Sequence, residues 1–324
     1  MQEKSIKYEP ISGREFPRFS AIKTFFRLPH VPIDADYDVG LVGVPYDGGT
    51  SYRSGARFAP TAVRQASSVG RGYNWSRGTH LWSSLRFADV GDCPTVPVNQ
   101  KMTYERIEKF FGKLMKLDKR FISVGGDHST TLPILRALHK KYGQLSLIHF
   151  DAHLDTYPAA WDCEYHHGTF VRHALEEKLL DPKRTLQIGL RGPLVDENDL
   201  KISRDYKILS TTVDDIRIGG LEKFIANLPK FDRSTKCPPT YISFDIDCLD
   251  PSCAPGTGTP VPGGLTTYET QRILRALKVQ NLVGADIVEV SPPYDHAEIT
   301  ALAAVDTMFE LMGLMVQNQA LRST

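Results

Sequence analysis

The sequence predicts an α/β protein built on a parallel β-sheet. Short apolar runs rich in β-branched residues alternate along the chain with longer segments of helical periodicity. Several of these runs, such as LSLIHF at 145–150 and YISF at 241–244, are nearly continuous in apolar residues. Such runs are typical of strands that are covered by helices on both faces. The chain is therefore predicted to bury a parallel sheet between helical layers.

The same alternation predicts the order of the elements. Strands are expected at 38–44, 85–90, 120–124, 145–150, 185–190, 207–209, 240–244 and 282–288. Helices are expected at 60–66, 104–117, 131–141, 169–179, 221–228, 267–277 and 299–312. In open parallel sheets, ligands bind beyond the carboxyl ends of the strands. Polar clusters directly after the apolar runs are therefore the places where chemistry is expected.

The composition indicates a soluble globular protein. Of the 324 residues, 41% are hydrophobic and 24% are charged, and the net charge is +1. Charges of both signs are interspersed, so no basic surface for nucleic acid is expected. No apolar run approaches the roughly 18 residues of a membrane span, and the polar N-terminus lacks a signal-peptide core. We therefore expect no membrane partner and a cytoplasmic location.

We expect a single domain over residues 1–324, because no internal repeat or linker is visible. Residues 1–35 are predicted to form an N-terminal extension at subunit contacts. The cysteines form no CxxC pair, and their odd number argues against a disulfide framework. They are interpreted as free thiols: Cys93, Cys163, Cys237, Cys248 and Cys253.

Three polar clusters each follow a predicted strand directly. They are GGDH at 125–128 after FISV, DAHLD at 151–155 after LSLIHF, and DID at 245–247 after YISF. Side chains two apart in an extended chain point to the same side, so Asp151, His153 and Asp155 are expected to converge. The same holds for Asp245 and Asp247. With the histidine of GGDH, the clusters offer four carboxylates and two imidazoles.

These clusters predict a site for two metal ions. Four carboxylates at one sheet edge would be strongly unfavourable without cations, and two divalent ions balance their charge. Six ligands, some of them bridging, suit a two-metal site with a shared water or hydroxide. Carboxylate and imidazole without thiolate favour Mn²⁺, with Ni²⁺ as the main alternative. Taken alone, each motif could be explained as a polar turn or a helix cap. His149, which lies inside an apolar run, is interpreted as a buried histidine with satisfied hydrogen bonds.

Six ordered motifs carry a resemblance to the ureohydrolases. They are GGDH at 125–128, DAHLD at 151–155, HGT at 167–169, SFDIDCLDP at 243–251, APGTGTPVPGG at 254–264 and VEVSPPYD at 288–295. The similarity runs from residue 43 to residue 304 and is closer to the agmatinase and guanidinobutyrase branch than to arginase. It implies an arginase-like three-layer α/β/α fold around an eight-stranded, mainly parallel sheet. It also implies hydrolysis of a small cationic guanidino compound to urea and an amine, by a homotrimer or homohexamer.

The resemblance also implies roles for single residues. It places one metal on His128, Asp151, Asp155 and Asp245, and a second on Asp151, His153, Asp245 and Asp247. Glu289 matches the glutamate that binds the guanidinium, and Thr259 matches a loop threonine near the substrate. His167 matches the histidine proposed to shuttle protons, with Asp155 protonating the leaving nitrogen. At position 166 this chain has histidine where agmatinases usually have aspartate. This difference leaves open whether His166 or His167 is the shuttle.

The segment 156–166 is expected to select the guanidino compound. It contains no arginine or lysine to hold a carboxylate, which counts against arginine and, more weakly, against guanidino acids. Asp162 and Glu164 either hold the distal ammonium of agmatine or are solvated charges. Trp161 either fills the space of a substrate tail or packs at a subunit contact, and it is counted with Asp162 and His166 among the candidate substrate contacts. Agmatine, giving putrescine, is slightly favoured; free guanidine is the first alternative, and guanidinobutyrate or guanidinopropionate the next.

Two alternatives lie outside this class. A single-zinc deacetylase shares the fold type, but it needs only an Asp/His/Asp ligand set and no guanidinium-binding glutamate. A non-catalytic homologue should have lost one or more ligands. The six ligand positions carry ligand-type side chains here, which disfavours both alternatives.

Overall fold

An eight-stranded β-sheet forms the centre of the structure, a computed structural model that describes residues 6–229 and 239–322. The strands of the described residues are β1 (Val39–Gly43), β2 (Tyr73–Asn74), β3 (Thr79–His80), β4 (Phe87–Asp92), β5 (Arg120–Val124), β6 (Leu145–Phe150), β7 (Leu180–Leu190), β8 (Leu209–Thr212), β9 (Thr240–Asp245) and β10 (Leu282–Val288). The helices are α1 (Ala59–Ala66), α2 (Leu81–Ser84), α3 (Gln100–Lys116), α4 (Thr131–Tyr142), α5 (Phe170–Glu176), α6 (Lys201–Tyr206), α7 (Val213–Gly219), α8 (Leu221–Ala226), α9 (Thr267–Ala276) and α10 (Ile299–Arg322).

All eight strands of the central sheet run in the same direction. Their order is β4-β1-β5-β10-β9-β6-β7-β8, and every neighbouring pair is parallel. The short strands β2 and β3 form a separate antiparallel pair. The central strands β1, β5, β6, β9 and β10 are buried along their whole length. The predicted parallel sheet is confirmed.

Helices cover both faces of this sheet. One apolar core lies between the sheet and α1, α9 and α10, and it contains Leu41 and Ile122. The other lies between the sheet and α3, α4 and α5, and it contains Val42 and Phe121. Consecutive residues of one strand thus enter opposite cores, because the pleat alternates their side chains. The three-layer α/β/α arrangement is confirmed.

Most of the predicted elements are present, some with shifted ends. β5, β6 and β10 have the predicted bounds, whereas β7 begins earlier, at Leu180. Pro182 concealed this first half of the strand, because proline is rare in strand interiors. The strand expected at 207–209 is displaced to β8, because Lys207 adopts a φ of 56° and ends α6 there. The short helices α2, α6 and α7 were not predicted, because helices of one or two turns are too short to show a periodic pattern.

Helix α10 corrects one expectation. Its segment Ile299–Gln319 is 21 residues long and contains an 18-residue window with a mean hydropathy of 1.6, so it is long and apolar enough to cross a membrane. The expectation that no such segment exists was wrong, because the helix continues well beyond the predicted residue 312. However, 72% of its apolar window is buried inside the protein, which is also what a core helix shows. Its hydropathy is therefore only weak evidence for a membrane span.

The N-terminal segment divides into a buried and an exposed part. Phe25, Phe26 and Leu28 are buried in the core of their own chain. Phe19 and Ile22, by contrast, are 86% and 85% exposed. The predicted role of residues 1–35 at subunit contacts stays a prediction, and the exposed side chains of Phe19 and Ile22 offer apolar surface for it.

The described cysteines are free. Cys93 and Cys248 are buried, Cys163 is exposed, and Cys253 is partly buried. Their interpretation as free thiols is confirmed, whereas Cys237 lies outside the described residues.

Close packing across the sheet predicts a mutational contrast between two glycines. A Cβ on Gly284 of β10 would lie 2.7 Å from the ring of Phe121. Gly284→Ala is therefore expected to destabilise the protein by about 1–3 kcal/mol. Gly112 of α3 has nothing within 4 Å of a Cβ, so Gly112→Ala should stabilise by about 0.4–1 kcal/mol. Thermal unfolding of the two variants measures this, and equal shifts in Tm would contradict the packing account.

Candidate metal centre

The three predicted clusters meet because their strands are neighbours. β5, β10, β9 and β6 are adjacent in the sheet, and the clusters follow β5 and β6 or end β9 at the same edge. Glu289 comes directly after β10 and so lies at this edge as well. The carboxyl ends of parallel strands share one edge, and these four are the central strands of the sheet.

His128 lies at the centre of a first group of ligand-type side chains. Its Nδ1 is 3.1 Å from Asp151 Oδ2, 3.0 Å from Asp155 Oδ2 and 3.1 Å from Asp245 Oδ2. All four residues are buried. Nδ1 itself is a buried polar atom without a hydrogen-bond partner. One nitrogen and three carboxylate oxygens that converge in this way fit a metal ion.

His153 belongs to a second group beside the first. Its Nδ1 is 3.2 Å from Asp151 Oδ1 and 3.1 Å from Asp247 Oδ2. Asp151 therefore directs one oxygen to each group, as a bridging ligand does. Asp245 directs Oδ2 to the first group, while its Oδ1 accepts a hydrogen bond from Asp247 N at 2.8 Å. The bridging role expected of Asp245 stays a prediction.

The backbone brings these side chains together through turns rather than through a strand pleat. Asp155 has a φ of 53°, which is left-handed, so the segment after β6 is not extended. Asp247 lies in a single 3₁₀ turn, Ile246–Cys248. The expected convergence is present, but its expected cause, alternation along an extended chain, was wrong.

The electrostatics of the cluster favour added positive charge. Burial raises the pKa of Asp245 well above its ordinary value, and the charges of Asp247 and Asp151 add to this shift. Burial also raises the pKa of Asp247. Burial alone would lower the pKa of His128, but the surrounding carboxylates of Asp151, Asp155 and Asp245 raise it well above the ordinary value. Divalent cations supply the same compensation without protons.

His149 lies in strand β6 and contacts Asp151, one of the residues of the cluster. Gln187 Nε2 donates to His149 Nδ1 at 3.1 Å, so the proton of this imidazole is on Nε2. That Nε2–H donates to Asp151 Oδ2 at 2.8 Å. The interpretation of His149 as a buried histidine with satisfied hydrogen bonds is confirmed, and its partner is a candidate metal ligand.

Asp127 holds a loop over the cluster and was not singled out from the sequence. Its carboxylate accepts hydrogen bonds from Gly49 N at 2.7 Å and from Ser129 N at 2.9 Å. It thereby caps the turn that carries His128 and fixes the loop that contains Gly49. Its place in the GGDH motif was the signal that could have identified it.

Glu289 and His167 form a buried pair beside the metal cluster. Glu289 has a φ of 62°, and its Oε1 accepts from His128 N at 2.9 Å and lies 3.0 Å from His167 Nδ1. Its Oε2 is buried and has no hydrogen-bond partner among the described residues. The other ring nitrogen of His167 lies 2.7 Å from Ser51 Oγ. Ser51 was missed, although it lies inside the similar segment that begins at residue 43.

The two adjacent histidines have different surroundings. His166 Nδ1 accepts from Gly168 N at 3.2 Å, so its Nε2–H donates to Pro158 O at 3.1 Å. Burial lowers the pKa of His166, and the charge of His167 lowers it further. Burial alone would lower the pKa of His167 too, but Glu289 raises it to about 9. Both nitrogens of His166 are bonded to backbone atoms, whereas those of His167 contact the Glu289 carboxylate and the Ser51 hydroxyl.

A cavity of about 200 Å³ opens above the cluster. It is lined by Ser51, His153, Asp155, Tyr157, Trp161, His166, His167, Gly168, Asp245 and Thr259. Thr259 Oγ1 also lies 3.4 Å from Asp247 Oδ2. Asp162 and Glu164 are exposed and do not line this cavity, and Glu289 lies below its surface. The candidate substrate contacts are thus near the cluster, except for Asp162.

Trp161 stands at the tip of a tight hairpin beside this cavity. Ala160 and Cys163 exchange backbone hydrogen bonds of 3.1 and 2.8 Å, and between them Trp161 and Asp162 have φ values of 52° and 54°. Such a turn favours Asn-Gly, and a bulky residue in this conformation costs on the order of 1–3 kcal/mol. The Trp161 side chain is 69% exposed and lies edge-on to His166, 5.6 Å between ring centroids. It forms part of the wall and does not fill the cavity.

Comparison with known proteins identifies the family. The family model described as the arginase family matches residues 37–313. This chain belongs to the arginase family. It is 43% identical to a guanidinopropionase of Pseudomonas aeruginosa, over 96% of this chain and 97% of that protein. It is 40% identical to an agmatinase of Cronobacter sakazakii, over 89% of this chain and 91% of that protein.

A solved structure shows the same architecture. Proclavaminate amidino hydrolase from Streptomyces clavuligerus superposes with a TM-score of 0.86 and 39% identity, covering 93% of this chain and 99% of that one. As an arginase-family ureohydrolase, this chain hydrolyses guanidino compounds at an amidino C–N bond. Members of the family use a binuclear metal site. The buried His/Asp cluster of this chain fits a metal site: potential ligand atoms of His128, His149, Asp151 and Asp155 lie within 4.8 Å of one another, as do those of Asp151, His153 and Asp247. The deacetylase and non-catalytic alternatives are set aside.

The buried His167–Glu289 pair predicts how the stability of the metal-free ureohydrolase depends on pH. Because the pKa of His167 is raised from 6.5 to about 9, its stabilising contribution is complete below pH 6.5 and is lost as the pH rises through 9. The contribution is on the order of 3 kcal/mol. The Tm of chelator-treated wild type should therefore fall relative to His167→Asn between these pH values. A Tm difference that stays constant over this interval would contradict the assignment.

Proposed function

We propose that this chain hydrolyses unsubstituted guanidine to urea and ammonia. The observation that carries this proposal is the cavity above the cluster, which is small and offers no counter-charge to a substrate tail. Its described lining contains no arginine or lysine, and its only carboxylates, Asp155 and Asp245, belong to the candidate metal ligands. A compact cation fits such a site without leaving a buried charge unpaired.

The proposed metal ligands are the six side chains expected from the sequence. His128, Asp151, Asp155 and Asp245 would hold one ion, and Asp151, His153, Asp245 and Asp247 the other. We propose Mn²⁺, with Ni²⁺ as the alternative, because the donors are oxygen and imidazole nitrogen. When bound, the ions lower the pKa of water to about 7 and so supply a nucleophile at neutral pH.

Glu289 is proposed to orient the guanidinium. A guanidinium carbon is a poor electrophile because resonance spreads its charge, so accurate placement over the cluster is required. The unpartnered Oε2 of Glu289 is a buried acceptor that a guanidinium N–H would satisfy by a charge-assisted hydrogen bond. Its Oε1 is held by His128 N and by His167, so the direction of the carboxylate is fixed.

Proton transfer is assigned to His167 and Asp155. Cleavage of the C–N bond requires a proton on the leaving nitrogen, and the carboxyl group of Asp155 lines the cavity where that nitrogen would lie. His167 is bonded to Glu289 on one side and to Ser51 on the other. It would return protons to the cavity through the Ser51 hydroxyl. Ammonia leaves, and urea keeps the oxygen of the attacking water.

The structure weakens the case for agmatine, which the sequence slightly favoured. A distal ammonium needs an anionic partner, and the two acidic side chains considered for it, Asp162 and Glu164, are exposed and do not line the cavity. Trp161 lines this cavity of about 200 Å³, whose small volume leaves little room for a longer tail. The similarity to agmatinases therefore supports the reaction more than the substrate.

A short guanidino acid is a second candidate. A neighbouring cavity of about 470 Å³ shares His153 and Tyr157 with the cavity above the cluster. Arg204 and Lys207 line it, and they are cations that the segment 156–166 does not provide. A carboxylate tail could reach them past His153. The similarity to guanidinopropionase favours the same candidate.

The assembly and location are also proposed. We expect a homotrimer or homohexamer of single-domain subunits, with residues 1–35 at the subunit contacts, in the cytoplasm. The similar proteins act on small substrates, and the exposed Phe19 and Ile22 offer apolar surface for such a contact.

The substrate is tested by urea release from guanidine, agmatine, guanidinopropionate, guanidinobutyrate and arginine, with Mn²⁺ or Ni²⁺ added. We expect the highest kcat/KM for guanidine, by at least about tenfold, which corresponds to about 1.4 kcal/mol. The double variant Arg204→Ala/Lys207→Ala should leave guanidine hydrolysis within about twofold, because these side chains lie outside the proposed cavity. If guanidinopropionate is instead the best substrate of the wild type, and the double variant hydrolyses it with a kcat/KM reduced more than tenfold, the guanidino acid is favoured. Urea from none of the compounds would overturn the proposal.

A further inference from the structure

We propose that Asp286 and Ser243 are positioning residues that fix the tautomer of His128 and so set the affinity of the first metal group for its ion. The inference rests on the proposed metal ligands. Neither residue is among those ligands. Both lie within the sheet, below the edge where the cluster is built.

Asp286 is a buried carboxylate surrounded by hydroxyl groups. It lies on β10 in register with Ser243 on β9, and Tyr241 is two residues earlier on the same face of β9. Ser243 Oγ donates to Oδ1 at 2.6 Å, and Tyr241 OH donates to Oδ2 at 2.8 Å. Thr131 Oγ1, at the start of α4, donates to the same Oδ2 at 2.7 Å. The carboxylate is thus satisfied by three donors.

These contacts determine which nitrogen of His128 carries the proton. The Ser243 hydroxyl has one hydrogen, and Asp286 takes it. Ser243 Oγ is therefore an acceptor towards His128 Nε2, which lies 2.8 Å away and must donate. The chain of donors runs from His128 through Ser243 to Asp286, and it leaves Nδ1 as the nitrogen that can bind an ion.

Nδ1 points at the three carboxylate oxygens of the first group, each about 3 Å away. An ion that binds there meets a neutral imidazole nitrogen and three carboxylate oxygens, because the proton that the ring keeps is held on Nε2 by Ser243. The Asp286–Ser243 pair therefore presents Nδ1 to the ion.

The ring of His128 is also held in its plane. It stacks on Phe170 with 4.2 Å between ring centroids and 29° between planes. With this stacking, the remaining freedom of the ring is rotation in its own plane, which the bond to Ser243 restricts. Loss of that bond should weaken the first group and spare the group around His153, whose Nδ1 faces Asp151 and Asp247.

The test is a titration of metal-free protein with Mn²⁺, by calorimetry, on Ser243→Ala and Asp286→Asn. One of the two affinities should fall by about 10–100-fold, the range that loss of a supporting contact typically produces. The other should stay within a few-fold of wild type. In the Co²⁺-loaded protein, the visible absorption spectrum should change as well, because it reports on ligand geometry.

Two control variants separate this role from a general structural one. Ser146→Ala makes the same truncation at another fully buried serine, on β6, whose hydroxyl has no hydrogen-bond partner. Tyr241→Phe removes a donor to Asp286 without touching His128. Both controls should keep the two Mn²⁺ affinities and the Co²⁺ spectrum of wild type.

The outcomes distinguish this inference from the proposed function. Two-ion binding by wild type, with both affinities unchanged in Ser243→Ala, overturns the inference alone. A wild type that binds neither Mn²⁺ nor Ni²⁺ overturns the metal centre and the inference with it. Should Asp286→Asn fail to fold, Ser243→Ala still decides, because it removes a single hydroxyl. A loss of equal size in Ser146→Ala would also overturn the inference.

Discussion

The structure depends on one electrostatic constraint, the crowding of buried carboxylates at a single edge of the sheet. Asp151, Asp155, Asp245 and Asp247 lie with Glu289 at the ends of three adjacent strands or just beyond them, and all five are buried. Such a cluster is unfavourable unless cations and fixed hydrogen-bond donors compensate it. The rigid sheet, covered on both faces, holds the carboxylates together against this repulsion. Cation binding and guanidinium chemistry both follow from that enforced proximity.

The sequence predicted the features of this site that are local. The buried strands β5, β6 and β10 are nearly continuous apolar runs with polar residues directly after them, so their bounds and the clusters were readable. The contact of Ser51 with His167 could not be predicted from the sequence, because the two residues are 116 positions apart. The left-handed conformation of Asp155 could not be predicted either, because nothing in DAHLD indicates a turn. Predicting the cluster did not require predicting its backbone.

The choice of substrate could not be predicted from the sequence motifs. Asp162 and Glu164 suggested an ammonium site only because they lie between two motifs, and a sequence does not reveal where the tip of a hairpin points. The cations that could favour a guanidino acid, Arg204 and Lys207, lie more than thirty positions from the nearest site motif on either side, HGT at 167–169 and SFDIDCLDP at 243–251. Substrate choice therefore depends on loops that fold back over the cluster, whereas the reaction depends on the strand ends.

The central claim is that two divalent ions occupy the crowded edge at the same time. Its most direct measurement is the metal content of the folded protein after loading with Mn²⁺ or Ni²⁺ and removal of free ions, taken together with urea release. The account predicts two ions per chain in the active form, and loss of both activity and metal on treatment with a chelator. Full activity with one ion per chain, or with none, would contradict it.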